Sequence, residues 1–164
     1  MYCLAAEVTG CKMKSLRKGK VFILLIYNIF MKVLFVCRAN VGRSQAAMEF
    51  YNQLVPGYGA SAGTIVDKSG EKLKERFGAE HIITVMKEHG SDMSENIRTQ
   101  ITQKMLNDYD KVIVMAEPNT VPNWLSDNPK VITWTIEDAK DKPLEKTREI
   151  ALEIKLRVRE LADI

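Results

Sequence analysis

Cysteine is scarce in this chain of 164 residues. Cys3, Cys11 and Cys37 form an odd, widely spaced set, which excludes a disulfide framework and fits a reducing compartment. Histidine is scarcer still: His81 and His89 offer no ligand spacing for zinc, so neither a metal nor a cofactor is expected. A strong charge of one sign is also missing. The net charge of +3 is too small an excess to predict a nucleic-acid partner. Long hydrophobic runs are absent too. The most apolar stretch, VFILLIYNIF at 21–30, falls short of the about 20 apolar residues that span a bilayer. No small-residue cleavage site of the A-x-A type follows it. No stable membrane insertion is expected, and the cytoplasm is the expected location.

What remains is an ordinary globular balance, with 46% apolar and 27% charged residues, in a length that fits one domain. The basic residues Lys12, Lys14, Arg17, Lys18 and Lys20 crowd the N-terminus ahead of the apolar run. Met31 then opens MKVLFVC, which reads as the first strand of a compact fold. Residues 1–30 are therefore read as an upstream extension and 31–164 as the domain. The alternative is a genuine N-terminal arm, as an extra strand or a surface-lying helix.

From Met31 onward, strand and helix patterns alternate. Residues 33–36 form a continuous apolar run, as in a strand buried on both faces. The segment SQAAMEFYNQL places Ala46, Ala47, Phe50 and Leu54 at helical spacing, and Pro56-Gly57 ends it. Residues 60–64 read as a short strand or its end. Residues 70–77 and 97–106 read as helices, 111–115 and 131–136 as buried strands. A closing helix over 144–161 carries Ile150, Ile154, Val158 and Leu161 on one stripe. This alternation predicts an α/β fold: a single three-layer domain, an open parallel twisted sheet with helices on both faces. Ligands of such sheets bind at the carboxyl ends of strands, and the first strand ends at Cys37.

The spacing Cys-x5-Arg joins Cys37 to Arg43 through Arg38, Ala39, Asn40, Val41 and Gly42. The pattern alone is weak, because Cys11 and Arg17 repeat it. That copy follows no strand, holds no glycine between its ends and lacks a following serine. The Cys37 copy follows VLFV, contains Gly42 and runs through Ser44 into a helix. Such a loop turns successive backbone N–H groups inward as an anion nest, and the helix N-terminus adds positive dipole. Arg43 has a planar fork for two phosphate oxygens. The same positive field favours an ionised sulfur, to which Ser44 can donate. A thiolate beside a bound phosphoryl group is a covalent catalyst. The competing reading, a buried cysteine with Arg43 in a surface ion pair, leaves the agreement of strand, loop, helix, arginine and serine unexplained.

These residues resemble the low-molecular-weight protein tyrosine phosphatase superfamily, which also contains thioredoxin-coupled arsenate reductases. The resemblance spans essentially all of 31–164. It is carried by VLFVCRANVGRS, by SAGT at 61–64, by HGSDMS at 89–94, by DYDKVIVM at 108–115 and by WTIEDA before the closing helix. It implies a phosphate-binding loop after the first strand, with Cys37 as nucleophile and Arg43 as phosphate-binding arginine. Ser44 then stabilises the leaving thiolate. Asn40 holds the loop in a strained shape, with Ser61 and His89 as its hydrogen-bond partners. Asp138 matches the general acid, with Glu137 and Asp141 as rivals. Ser61 as a plain turn residue and His89 as a plain loop histidine are the alternatives.

The departures from that pattern are informative. Ala139 stands where proline usually follows the acid, and Lys140 and Asp141 stand where tyrosine phosphatases carry aromatics. Gly42 replaces the second loop cysteine of many relatives, and no cysteine follows Cys37. The function expected is hydrolysis of a phosphomonoester, on a phosphorylated protein or a small molecule, through a phosphocysteine. The alternative is arsenate reduction in the same oxyanion loop with an external thiol, or with Cys3 or Cys11.

Overall fold

The apolar run after Met31 forms β1, Val33–Cys37, and every one of its residues is buried. The computed structural model of the protein describes residues 31–162. The stretch read as an extension, with Cys3, Cys11 and the second Cys-x5-Arg copy, lies outside the described residues.

The other elements follow in chain order: α1, Arg43–Leu54; β2, Gly59–Gly63; α2, Glu80–Glu88; β3, Lys111–Val114; α3, Asn123–Ser126; β4, Val131–Thr133; and α4, Leu144–Leu161. The strands make one parallel sheet in the order β2-β1-β3-β4. In register, Cys37 lies opposite Gly63, and Val36 lies between Ala62 and Val114. Side chains alternate across a strand, so β1 serves two cores. Val33, Phe35 and Cys37 pack with Phe50 of α1, Val85 of α2 and Ile154 of α4. Leu34 and Val36 pack with Ile101, Leu106 and Leu125 on the opposite face. The open three-layer α/β sheet expected from the alternation is the architecture found. Its second face is covered sparingly, by α3 and a 3₁₀ turn at Gln103–Asp108.

Several local readings need correction. The helix expected over 70–77 is only a 3₁₀ turn at Leu73–Glu75. Gly70 and Gly78 flank it with φ of 93° and 85°, backbone that no helix contains. The helix expected over 97–106 is extended at its start: Ile97 bridges Lys72 and Gln100 bridges Gly63. Its backbone groups are engaged by the strand and loop beside them. Gly63 N–H donates to Thr99 O, and Ile101 N–H donates to Gly63 O. The strand expected over 131–136 stops at Thr133 and is an edge rather than a buried strand, with Ile132 40% exposed. Trp134 and Ile136 are still buried, because the chain turns there into the core under α4. Helix α2 went unread, although Ile82, Val85 and Met86 mark its buried face at helical spacing. The closing helix has the expected bounds, with Ile150, Ile154 and Val158 buried. Among the described residues, no helix is long and apolar enough to cross a membrane.

Phe35 is fully buried and meets the rings of Tyr51 and Trp134 at 5.7 and 6.2 Å. Phe35→Ala is expected to destabilise the fold by about 3–5 kcal/mol, read as a lowered urea midpoint at unchanged slope.

Candidate active site

Residues 38–42 join the buried end of β1 to the first turn of α1. The carbonyls from Cys37 to Asn40 face outward, each towards a donor. Cys37 O accepts from Thr64 N–H at 2.9 Å and Arg38 O from Ile65 N–H at 2.8 Å. Ala39 O accepts from Arg98 Nε and Nη2 at 3.1 and 3.0 Å. Asn40 O accepts from Gln45 Nε2 at 3.4 Å. In a planar trans peptide the N–H points opposite the C=O, and no peptide bond described is cis. The N–H groups of residues 38–41 therefore face the concave side of the loop. That side opens into a cleft of about 1120 Å³, lined at this end by Cys37, Arg38, Ala39, Val41, Gly42 and Arg43. Converging amides at a helix start make a cradle for an anion.

Asn40 sits at the sharpest point of the turn. Its φ is +53°, a left-handed conformation that asparagine tolerates better than most residues. Its amide is saturated. Nδ2 donates to Ser44 Oγ at 2.9 Å and to Ser61 Oγ at 3.0 Å. Oδ1 accepts from Thr99 N–H at 2.7 Å and from Gln45 Nε2 at 3.3 Å. Ser44 Oγ lies 3.1 Å from Cys37 Sγ. An ionised sulfur only accepts, so the Ser44 hydroxyl is then the donor.

Arg43 is 5% exposed, and its four terminal N–H groups all have protein acceptors. Nη1 donates to Met115 O at 2.7 Å and Ile136 O at 3.3 Å. Nη2 donates to Glu117 Oε1 and Asp138 Oδ2, both at 2.8 Å. Burial works to raise the Glu117 carboxyl. A backbone hydrogen bond, the Arg43 hydrogen bond and the charges of Arg43 and Arg38 outweigh it and hold the group below the ordinary glutamate value. Glu117 is thus a fixed anion behind Arg43.

Three carboxylates compete for the acid role, and the geometry separates them. Asp138 is half-exposed, touches Arg43 and lines the cleft. Glu137 is drawn to Lys142 and Lys146 at 2.9 and 3.2 Å. Asp141 lines the cleft but is 85% exposed beside Lys140. Ser61 lies where the resemblance put it, on Asn40. His89 does not. It ends α2, with its ring on Phe50 at 5.3 Å and its Nδ1 3.4 Å from Lys155 Nζ. The contacts on Asn40 Oδ1 come from Thr99 and Gln45. Sequence reading missed Arg98, Gln45, Thr99 and Glu117. Only Arg98 left a signal, as a charge within the apolar and β-branched run IRTQI.

Residues 32–162 match the model of the low molecular weight phosphotyrosine protein phosphatase family. The chain belongs to that family. It is therefore a cysteine-dependent phosphatase by kinship. Among solved structures, Vibrio vulnificus Wzb in complex with benzylphosphonate is similar at 23% identity and a TM-score of 0.69, over 82% of this chain and 98% of that one. An arginine phosphatase, YwlE from Geobacillus stearothermophilus, is similar at 23% identity and 0.63, over 81% and 91%. An arsenate reductase in the phosphate binding state is similar at 27% identity and 0.65, over 81% and 97%. No curated protein matches the sequence.

The loop of this family member is also held from β2. A Cβ on Gly63 would stand 2.8 Å from Arg38 O and 2.9 Å from Asn40 N. Both are backbone atoms of the cradle and cannot swing aside. Gly63→Ala is expected to displace the loop and lower kcat/KM by about 100-fold, the order of loss for a misplacement near 1 Å. Steady-state kinetics on a variant with a cooperative melt check this; near-normal activity would mean that the loop has slack.

Proposed function

We propose that this phosphatase hydrolyses aryl phosphomonoesters carried on a larger molecule, a phosphorylated protein in the first instance, through a phosphocysteine at Cys37. The observation that carries the reading is the convergence of Cys37 Sγ, the inward amides of 38–41, Arg43 and Asp138 on one end of the cleft.

The phosphoryl group enters the cradle, and the amides and Arg43 neutralise its charge. Arg43 meets it with Nε–H and with an Nη2 hydrogen now given to a carboxylate. Asp138 is the one that yields: the two carboxylates are similarly exposed, at 41% and 48%, but Glu117 is anchored by a second oxygen buried beside the end of β3. The oxyanion thereby releases the acid it needs. Cys37 sulfur attacks phosphorus, the S–P bond forms, and the P–O bond to the leaving group breaks. Asp138, once displaced from Arg43, takes up a proton from solvent and gives it to the leaving oxygen. Water then attacks the phosphocysteine with Asp138 as base. The S–P bond breaks, and Ser44 donates to the departing thiolate.

The walls of the cleft support an aryl substrate. Lys140 and Asp141 supply no aromatic surface, but Phe77 does from another part of the wall, at 92% exposure, with Ile65 half-exposed nearby. The cleft is far larger than a phosphate, which favours a large substrate. A solved relative of the fold holds benzylphosphonate, an aromatic phosphonate.

Arsenate reduction is the second reading, favoured by the likeness to an arsenate reductase at 27% identity. Cys37 is the one cysteine among the described residues, so an arseno adduct there would need a thiol from outside or from Cys3 or Cys11. Thiol consumption that depends on arsenate, without turnover of p-nitrophenyl phosphate, would decide for this reading.

Cys37→Ser is expected to abolish turnover while retaining vanadate binding by calorimetry. Asp138→Asn is expected to slow phosphoenzyme formation about 10²–10⁴-fold for poor leaving groups and far less for activated ones. An unchanged leaving-group slope in pre-steady-state bursts would move the acid elsewhere, Asp141 first. Phe77→Ala is expected to raise KM for a phosphotyrosine peptide about 3–10-fold, the worth of one aromatic contact, and to spare inorganic phosphate inhibition. Equal KM values for both proteins would remove Phe77 from the subsite.

A further inference from the structure

Behind the cradle lies a cluster that the chemistry above does not use. Arg98 is a fully buried side chain in the wall of the cleft, beside Asp67 and Arg76 and outside the phosphate contacts assigned to Arg43. Its Nε and Nη2 both donate to Ala39 O, at 3.1 and 3.0 Å. Its Nη1 donates to Glu71 Oε2 at 2.6 Å, and Nη2 also donates to Asp67 Oδ1 at 2.7 Å. Asp67 is in turn held by Arg76 Nη1 at 2.7 Å. The backbone is tied at the same place, with Arg98 N–H on Glu71 O and Gly70 N–H on Arg98 O.

We propose that Arg98 is a positioning residue of the phosphatase reaction, setting the oxyanion affinity of the loop by locking the Ala39–Asn40 peptide with its N–H turned into the cradle. The inference rests on the oxyanion reading of the loop given above.

The reason is geometric. Other donors onto the loop carbonyls grip at single points: Thr64 and Ile65 donate by one N–H each. Ala39 is the residue before the left-handed Asn40, where the chain reverses and a peptide flip is easiest. A two-point grip from a planar guanidinium fixes the plane of the carbonyl as well as its distance. The peptide is rigid, so fixing its C=O fixes the N–H of Asn40. The cluster also contains its own charge balance. Arg76 and Arg98 face Asp67 and Glu71, with the exposed Lys68 also on Glu71, so the buried guanidinium is compensated by the two carboxylates against it. Arg98 therefore acts by orientation, and a lysine at its position should not replace it. The two carboxylates serve to keep a buried guanidinium in place, since a buried charge without partners is costly.

The test is made on the full chain with vanadate as the probe, in Arg98→Lys, in Arg98→Met combined with Glu71→Gln, and in Asp67→Asn. Binding is read by calorimetry. The amide signals of residues 38–41 are followed by NMR, and alkylation of Cys37 by iodoacetamide reports its access. The expected result for Arg98→Lys is a loss of vanadate affinity of about 10–100-fold, the range for a charge-assisted hydrogen bond. The vanadate-induced shift of the Asn40 amide should vanish while those of Arg38 and Ala39 persist. The double variant should match it, and Asp67→Asn should lose a few-fold. Wild-type vanadate affinity in folded Arg98→Lys, or an Asn40 amide that still responds, overturns the proposal and leaves Arg98 a stability residue. Should both Arg98 variants fail to fold, Asp67→Asn decides: unchanged affinity and an unchanged Asn40 shift overturn it, and a weakened pair supports it. Failure of wild type to bind vanadate at all would instead sink the oxyanion reading itself.

Discussion

Four successive carbonyls, from Cys37 to Asn40, find their hydrogen bonds outside the loop that carries them. Because a trans peptide is rigid, each outward bond turns one N–H inward. The cradle is therefore built by its surroundings. Residues 64 and 65, just past β2, hold its first two carbonyls, Arg98 the third and Gln45 the fourth. A loop with five residues between its two functional side chains cannot enforce that shape by local preference alone. Only Asn40, with its left-handed φ and saturated amide, works from within.

The same surroundings explain why the sheet is ordered as it is. β1 is central, so Cys37 at its end has β2 on one side and β3 on the other. β2 is a strand of small residues, GASAG, which lets residues 38–40 lie against it at backbone distance. β3 ends at Val114; the carbonyl of Met115 just after it takes Arg43 Nη1, and Glu117, two residues further on, takes Nη2. Thus the two neighbours of β1 divide the work: one shapes the loop and the other aims the arginine.

Arg43 links this scaffold to the chemistry. Its four terminal hydrogens are engaged, two on backbone carbonyls and two on carboxylates. A guanidinium held this way is pre-aimed, and an arriving oxyanion meets exchange of one carboxylate for another anion rather than an unordered side chain. Glu117 and Asp138 differ in one respect that suits this exchange: Glu117 has a buried oxygen beside the end of β3, and Asp138 sits on an exposed loop.

Much of this protein was legible without coordinates, and the reason is locality. The run VLFV, the spacing from Cys37 to Arg43, the serine after it and the stripe of Ile150, Ile154 and Val158 are patterns within a few residues, and short-range physics imposes them. Asp138 was legible only through a family likeness. The contacts that complete the site were not legible, because they join residues far apart in the chain. Arg98 reaches Ala39, Thr99 reaches Asn40 and Glu117 reaches Arg43 across separations that no periodicity records. His89 failed for the same reason: a histidine beside a glycine carries no mark of whether the fold turns it towards Asn40 or, as here, towards Phe50. The segment 97–106 has enough apolar spacing for a helix, yet its backbone groups are claimed by Gly63 and Asn40, and a hydrogen-bonding group committed to a neighbour cannot also close a helical turn. Sequence by itself determined the sheet, the closing helix and the placing of Cys37 and Arg43 at the two ends of one loop; tertiary structure decided which side chains hold that loop open to an anion, because orientation of a peptide plane is settled by partners brought from elsewhere in the chain.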